Sequence, residues 1–184
     1  MRKIFGIVAI LAFMCGTSVF ADTLKKGNKE LSFSFSYDDV KLKNIESEGN
    51  FKTYNLLGSF GYLITDGNEA GINISYNKTE LPVIADRETK DTASFDSIGY
   101  GFFYNYNFKA GDMCNPYLGA QVQGFSGDFG DYFNWSYGAT AGVKIYPWSN
   151  GGFNFGARYD WVQGQEDIVD STDLRFFAGV NVKW

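Results

Sequence analysis

Hydrophobic and polar positions alternate along most of this chain. In the stretch ELSFSFSYDD, residues 30–39, Leu31, Phe33, Phe35 and Tyr37 share one parity and Ser32, Ser34 and Ser36 the other. Successive side chains of a strand point to opposite faces, so this segment has an aromatic face and a small polar face. The pattern recurs and predicts eight strands, at about 30–39, 51–64, 70–80, 94–108, 116–126, 134–146, 152–163 and 172–184. Each has about ten residues or slightly more, the length a tilted strand needs to cross a bilayer. The fourth carries Ile98, Tyr100, Phe102, Tyr104, Tyr106 and Phe108 against Ser97, Gly99, Gly101, Asn105 and Asn107. The last carries Leu174, Phe176, Ala178, Val180, Val182 and Trp184 against Arg175, Asn181 and Lys183.

The connections alternate as well. TDGNE, KAGDMCN and PWSNGG are short; VKLKNIESEGN and LPVIADRETKDTA are longer and more polar. Short turns at one end and long loops at the other predict an all-β, eight-stranded antiparallel up-and-down transmembrane β-barrel. Parity then decides which face is inside. The polar parity holds Lys144, Arg158, Asp160, Arg175 and Lys183 in mid-strand, while the apolar parity holds almost no charge. A water-soluble barrel would present the reverse, because a continuous exposed apolar band aggregates. The aromatic face therefore meets lipid. The five charges form a lumen network, and inward Phe95, Phe103, Phe125, Tyr146 and Phe177 narrow the lumen. The tryptophans fall at strand ends and form an interfacial girdle, Trp135 and Trp161 near the extracellular rim and Trp148 and Trp184 near the periplasmic rim.

Composition sharpens this picture. Residues 1–21, MRKIFGIVAILAFMCGTSVFA, read as a secretory signal peptide: a basic start at Arg2 and Lys3, an apolar run too short to span, and small residues Val19 and Ala21 before the cleavage point. Residues 22–184 would then be the outer-membrane barrel. The chain has 22 Gly, 12 Tyr and 18 Phe but only 3 Pro, a balance that favours strands over helices. Its net charge is −5, and losing Arg2 and Lys3 deepens it, which excludes a nucleic-acid partner. After removal of the signal the one remaining cysteine, Cys114, would be a lone thiol in a periplasmic turn.

The C-terminal FFAGVNVKW ends in an aromatic residue with Phe176, Val180 and Val182 on alternate positions before it. With Trp184 they resemble the terminal strand by which outer-membrane proteins are recognised by their assembly machinery, although Phe is the commoner last residue. Together with the signal peptide and the eight strands, this resembles the small outer-membrane barrels of the OmpX, OmpA-transmembrane-domain and opacity-protein group. That resemblance implies a Gram-negative outer membrane, contact with lipid and lipopolysaccharide, and porin-like architecture.

Candidate chemistry is thin. The chain has no histidine, which removes Ser–His nucleophilic catalysis and His-based acid–base work. Small barrels that modify lipid A depend on such a histidine. Asp160 with Asp96 or Asp173 is the remaining carboxylate pairing, and arginines such as Arg158 and Arg175 are its natural partners. No cofactor, catalytic or metal site is expected. Function falls to the outward loops near 40–50, 81–93, 127–133 and 164–171, where the acidic runs DFGD and QEDIVDSTD lie. The expectation is a monomeric, non-enzymatic barrel with a structural or surface-interaction role, adhesin- or opacity-like, with an extracellular partner at those loops. A narrow channel for ions or small solutes is the alternative, and a soluble lipocalin-like carrier a third.

Overall fold

The computed structural model describes residues 24–41, 50–85, 89–111, 113–128, 130–131, 133–164 and 171–184. The signal-peptide expectation for residues 1–21 lies outside these described residues, as does most of the first and last outward loops. Eight strands run in order: β1 (Lys29–Lys41), β2 (Asn50–Thr65), β3 (Asn68–Ala85), β4 (Thr89–Asn107), β5 (Cys114–Gly127), β6 (Phe133–Ile145), β7 (Gly151–Gly164) and β8 (Ser171–Lys183). Each pairs antiparallel with its neighbours in sequence, and β1 pairs with β8, so the sheet closes into a barrel with no helix among the described residues.

The alternation is what builds it. Aromatic and β-branched residues suit a pleated surface, and each strand places them on the outside. Phe33, Leu56, Ile74, Phe102, Tyr137 and Leu174 are all about half exposed or more, while Ser34, Asn55, Asn73, Ser136 and Asn181 are buried. The core is thus the polar interior of the barrel, and the apolar face is the outer surface.

At the Lys29 end the turns are tight. Gly67, in the turn between β2 and β3, has φ +90, a region that costs other residues strain, and a Cβ there would also meet the Asn107 carbonyl oxygen at 2.7 Å. Asp66 in the same turn accepts a hydrogen bond from the Lys26 backbone N–H at 2.8 Å. This draws the entry segment across the barrel mouth, where Leu24 packs with Leu63 and Tyr146 as a small apolar stopper.

At the other end the segment LPVIADRETKDTA differs from the long loop expected of it. β3 and β4 continue as a two-stranded ribbon from Leu81↔Ala93 to Ala85↔Thr89. Pro82 lies within this ribbon, opposite Thr92. The backbone of Asp96 bonds toward the β5 side, because its carbonyl accepts from the Asp128 N–H. Counting along the register, the nitrogen of Pro82 then points away from β4. It lies above the last β2–β3 pair, Lys52↔Glu80, where no ladder bond is lost.

Candidate functional site

The inward parity brings the expected lumen charges into the barrel but sorts them into separate groups. Lys144 lies nearest the Lys29 end. Its ammonium donates to Glu30 Oε1 at 2.6 Å and to Glu69 Oε2 at 2.7 Å, and the three side chains are almost wholly buried. The Tyr146 hydroxyl donates to the other oxygen of Glu30, and the Lys183 ammonium stands 4.6 Å from the centre of the Tyr146 ring. A glycine makes room for this cluster: a Cβ at Gly61 would overlap the Glu69 carboxylate.

Higher in the barrel, Arg158 Nε meets Asp160 Oδ2 at 2.7 Å. Gln121 joins both, donating to Asp160 at 3.0 Å and accepting from Arg158 at 3.4 Å. Arg175 pairs with Asp173 and donates to Asn77 at 3.2 Å. In register Arg158 faces Arg175 and Asp160 faces Asp173, so like charges oppose across the β7–β8 ladder and each is offset by its own i+2 or i−2 neighbour. A buried unpaired charge would be costly, which is why each of these arginines has a carboxylate.

The sequence reading joined the five charges in one network and missed Glu30 and Glu69. Glu30 is the second residue of β1, and Glu69 belongs to a segment taken as a turn. Their partner Lys144 is 114 and 75 residues away in sequence, so no local pattern could have found them. Asp96, one of two carboxylates considered for Asp160, is exposed on the outward parity and takes no part in the lumen. Cys114 is disulfide-bonded, which overturns the expectation of a lone thiol.

Between the two charged levels lies a polar cavity of about 60 Å³, bordered by Ser34, Asn73, Gln121, Arg158, Phe103 and Phe177. It has room for a few waters. The Asn115 amide nitrogen and the hydroxyls of Ser97 and Ser136 are buried without a protein hydrogen-bond partner. Among the described residues no three His, Cys, Asp or Glu side chains gather as metal ligands.

On the outside, the tryptophans occupy two levels. Trp148 packs with Phe153, and Trp184 with Phe60, at the short-turn end. Trp161 stacks on Tyr137 at 5.6 Å and meets Tyr159 edge-on at 4.7 Å toward the other end, and Trp135, paired with Gly124, lies beside them. Phe176, Val180, Val182 and Trp184 all face outward and are about half exposed.

No known family model and no curated protein matches the sequence. Among solved structures the fold is similar to Neisserial surface protein A, with a TM-score of 0.54 and 21% identity over 86% of this chain and 98% of that one. It is similar to the outer membrane protein OprG from Pseudomonas aeruginosa, with a TM-score of 0.52 and 12% identity over 88% and 98% of the two chains. A de novo designed transmembrane β-barrel is comparable, at 0.51 and 14% over 89% and 100%. The chain therefore has the fold of the small eight-stranded outer-membrane β-barrels.

Proposed function

We propose that this chain is an integral barrel of a bacterial outer membrane, without enzymatic activity, that acts through its outward loops as a structural or surface-interaction protein. One observation carries this reading: the barrel is apolar outside and charged inside. Phe102 is 68% exposed and Ile74 60%, whereas Lys144 is 2% and Arg158 5% exposed. A continuous aromatic and aliphatic exterior is stable only against lipid, and the pairing of β1 with β8 closes the sheet into a barrel. The aromatic residues at both ends would then sit at the two bilayer interfaces. Outer-membrane lipid and lipopolysaccharide are the partners of that surface, and the assembly machinery that of the C-terminal strand.

The lumen favours the structural role over the channel. The Lys144, Glu30, Glu69 and Tyr146 cluster fills one level, Phe103 and Phe177 border the level above, and Leu24 closes the lower mouth. The absence of histidine from the sequence argues against histidine-based acid–base catalysis.

The test uses the purified full chain. The folded barrel should run faster on a cold gel than after boiling, and replacing the loops near 40–50, 81–93, 127–133 and 164–171 by short turns should keep that shift while abolishing adhesion or surface binding. Loss of the shift in wild type would refute the membrane barrel. Unchanged binding after loop replacement would refute the loop-borne role.

A further inference from the structure

The eight ladders are unequal. β4–β5 and β5–β6 each hold eleven register pairs and the remaining neighbours in sequence hold more, but β1–β8 holds only six, from Glu30↔Lys183 to Phe35↔Ala178. At its base Lys29 and Trp184 exchange both backbone bonds. Bonded pairs therefore climb at every second residue, and the next would be Tyr37 with Phe176. The ladder stops below that pair. Both strands continue beyond it: β1 stays paired to β2 up to Lys41↔Asn50, and β8 to β7 up to Ser171↔Val162. The wall is thus divided between β1 and β8 in the half of the barrel remote from the short turns.

The two sides of this slot differ in chemistry. On the outer surface it is flanked by Phe35, Phe176 and Leu174, each about half exposed, and by Tyr37, which packs against Tyr54 at 5.1 Å. On the lumen side stand Ser36, Asp38, Arg175 and Phe177, and Phe177 also borders the central cavity. Charge selects what the slot would accept. Among the described residues this level of the lumen holds Asp38, Asp160 and Asp173 against Arg158 and Arg175. The arginines pair with Asp160 and Asp173, and Arg175 also lies beside Asp38, so the carboxylates of this level outnumber its cations by one. The slot leads from an apolar band to a negative interior, and the aromatic pair on its lip offers π faces to a cation.

We propose that the β1–β8 slot binds a single-chain cationic amphiphile, its ammonium head beside Asp38 and its tail on the outer surface along Phe35, Phe176 and Leu174. The lumen is stoppered below by Leu24, Leu63 and Tyr146, which makes the arrangement a holder of the amphiphile rather than a conduit for it.

The experiment takes the isotopically labelled full chain in nanodiscs of zwitterionic lipid, checked for the cold-gel shift so that failure of folding is seen separately. Two readouts apply. Without added ligand, the amides of Leu174 and Phe176, whose N–H groups point toward β1, should exchange with solvent much faster than those of Arg175 and Phe177, which bond to β7. Dodecylammonium, dodecanoate and dodecanol are then titrated in turn. Dodecylammonium should shift the Asp38, Arg175 and Phe176 resonances saturably while Leu31 and Val182 stay in place, and the other two probes should not. Asp38→Asn should weaken the dodecylammonium response about tenfold, the loss expected for one charge-assisted contact, whereas Asp128→Asn on the exposed turn should leave it intact. Slow exchange at Leu174 and Phe176 would mean a closed wall and overturn the proposal. So would equal responses to the three probes, preference for dodecanoate, an Asp38→Asn variant that binds as well as wild type, or slot resonances that shift with protein concentration alone, the mark of a second copy.

Discussion

Lys144 is the residue on which the lower lumen depends. It neutralises Glu30 and Glu69 at once, and neither carboxylate has another cation at ion-pair distance among the described residues. Lys144→Met should destabilise the barrel by about 3–5 kcal/mol, because it leaves two buried carboxylates facing each other. Adding Glu30→Gln and Glu69→Gln to that variant should recover most of the loss. Urea titration of folding in lipid vesicles measures both; a Lys144→Met barrel as stable as wild type would show that the cluster is hydrated and screened. On the outer face, Ala178→Arg puts a charge on the apolar band next to Phe35 and Phe155 and should cost about 2–4 kcal/mol near the bilayer midplane. Asn181→Ser, on the buried parity, should cost far less, and equal losses in the same titration would contradict the assignment of faces. At this scale the sequence was informative about faces and silent about partners. That Lys144 points inward follows from its neighbours Val143 and Ile145; that it meets Glu30 does not.

Strands are the scale at which alternation speaks most directly, and each predicted strand overlaps an observed one. The main disagreement is the ribbon at 81–93, where β3 and β4 run on beyond the rest of the barrel. The segment reads as a loop in the sequence because it is long and polar. Pro82 is tolerated because its nitrogen faces an edge without a partner. The final strand, β8, carries the assembly expectation. Its outward Phe176, Val180, Val182 and Trp184 form a continuous row, and Trp184 also exchanges backbone bonds with Lys29 to close the barrel base. Deleting Trp184 should slow insertion and leave unfolded protein in the periplasm, read as loss of the heat-modifiable band in membrane fractions. A truncated strain with normal amounts of folded barrel would count against both roles.

For the molecule as a whole, closure is the decisive event. It creates a lumen that holds paired charges, Phe103 and Phe177, with Leu24 packed at one mouth. The purified protein should accordingly give no stable single-channel steps in a planar bilayer. Reproducible ion-selective steps that disappear on mutating Arg158 would promote the channel reading.

The amino-acid order by itself determined the fold class, the strand count and which face of each strand is apolar, because each of these is written in residues one or two positions apart. The tertiary structure alone decided the rest. Glu30 finds Lys144 only when strands far apart in sequence curve round to face one another across a narrow lumen. Leu24 becomes a stopper only once Leu63 and Tyr146 form a mouth for it. The β1–β8 seam joins the two ends of the chain, and its six pairs reflect how the whole sheet closes. Alternation is a local property that each strand carries alone, whereas partners across the lumen and the quality of the seam are properties of a closed ring, which no single strand contains.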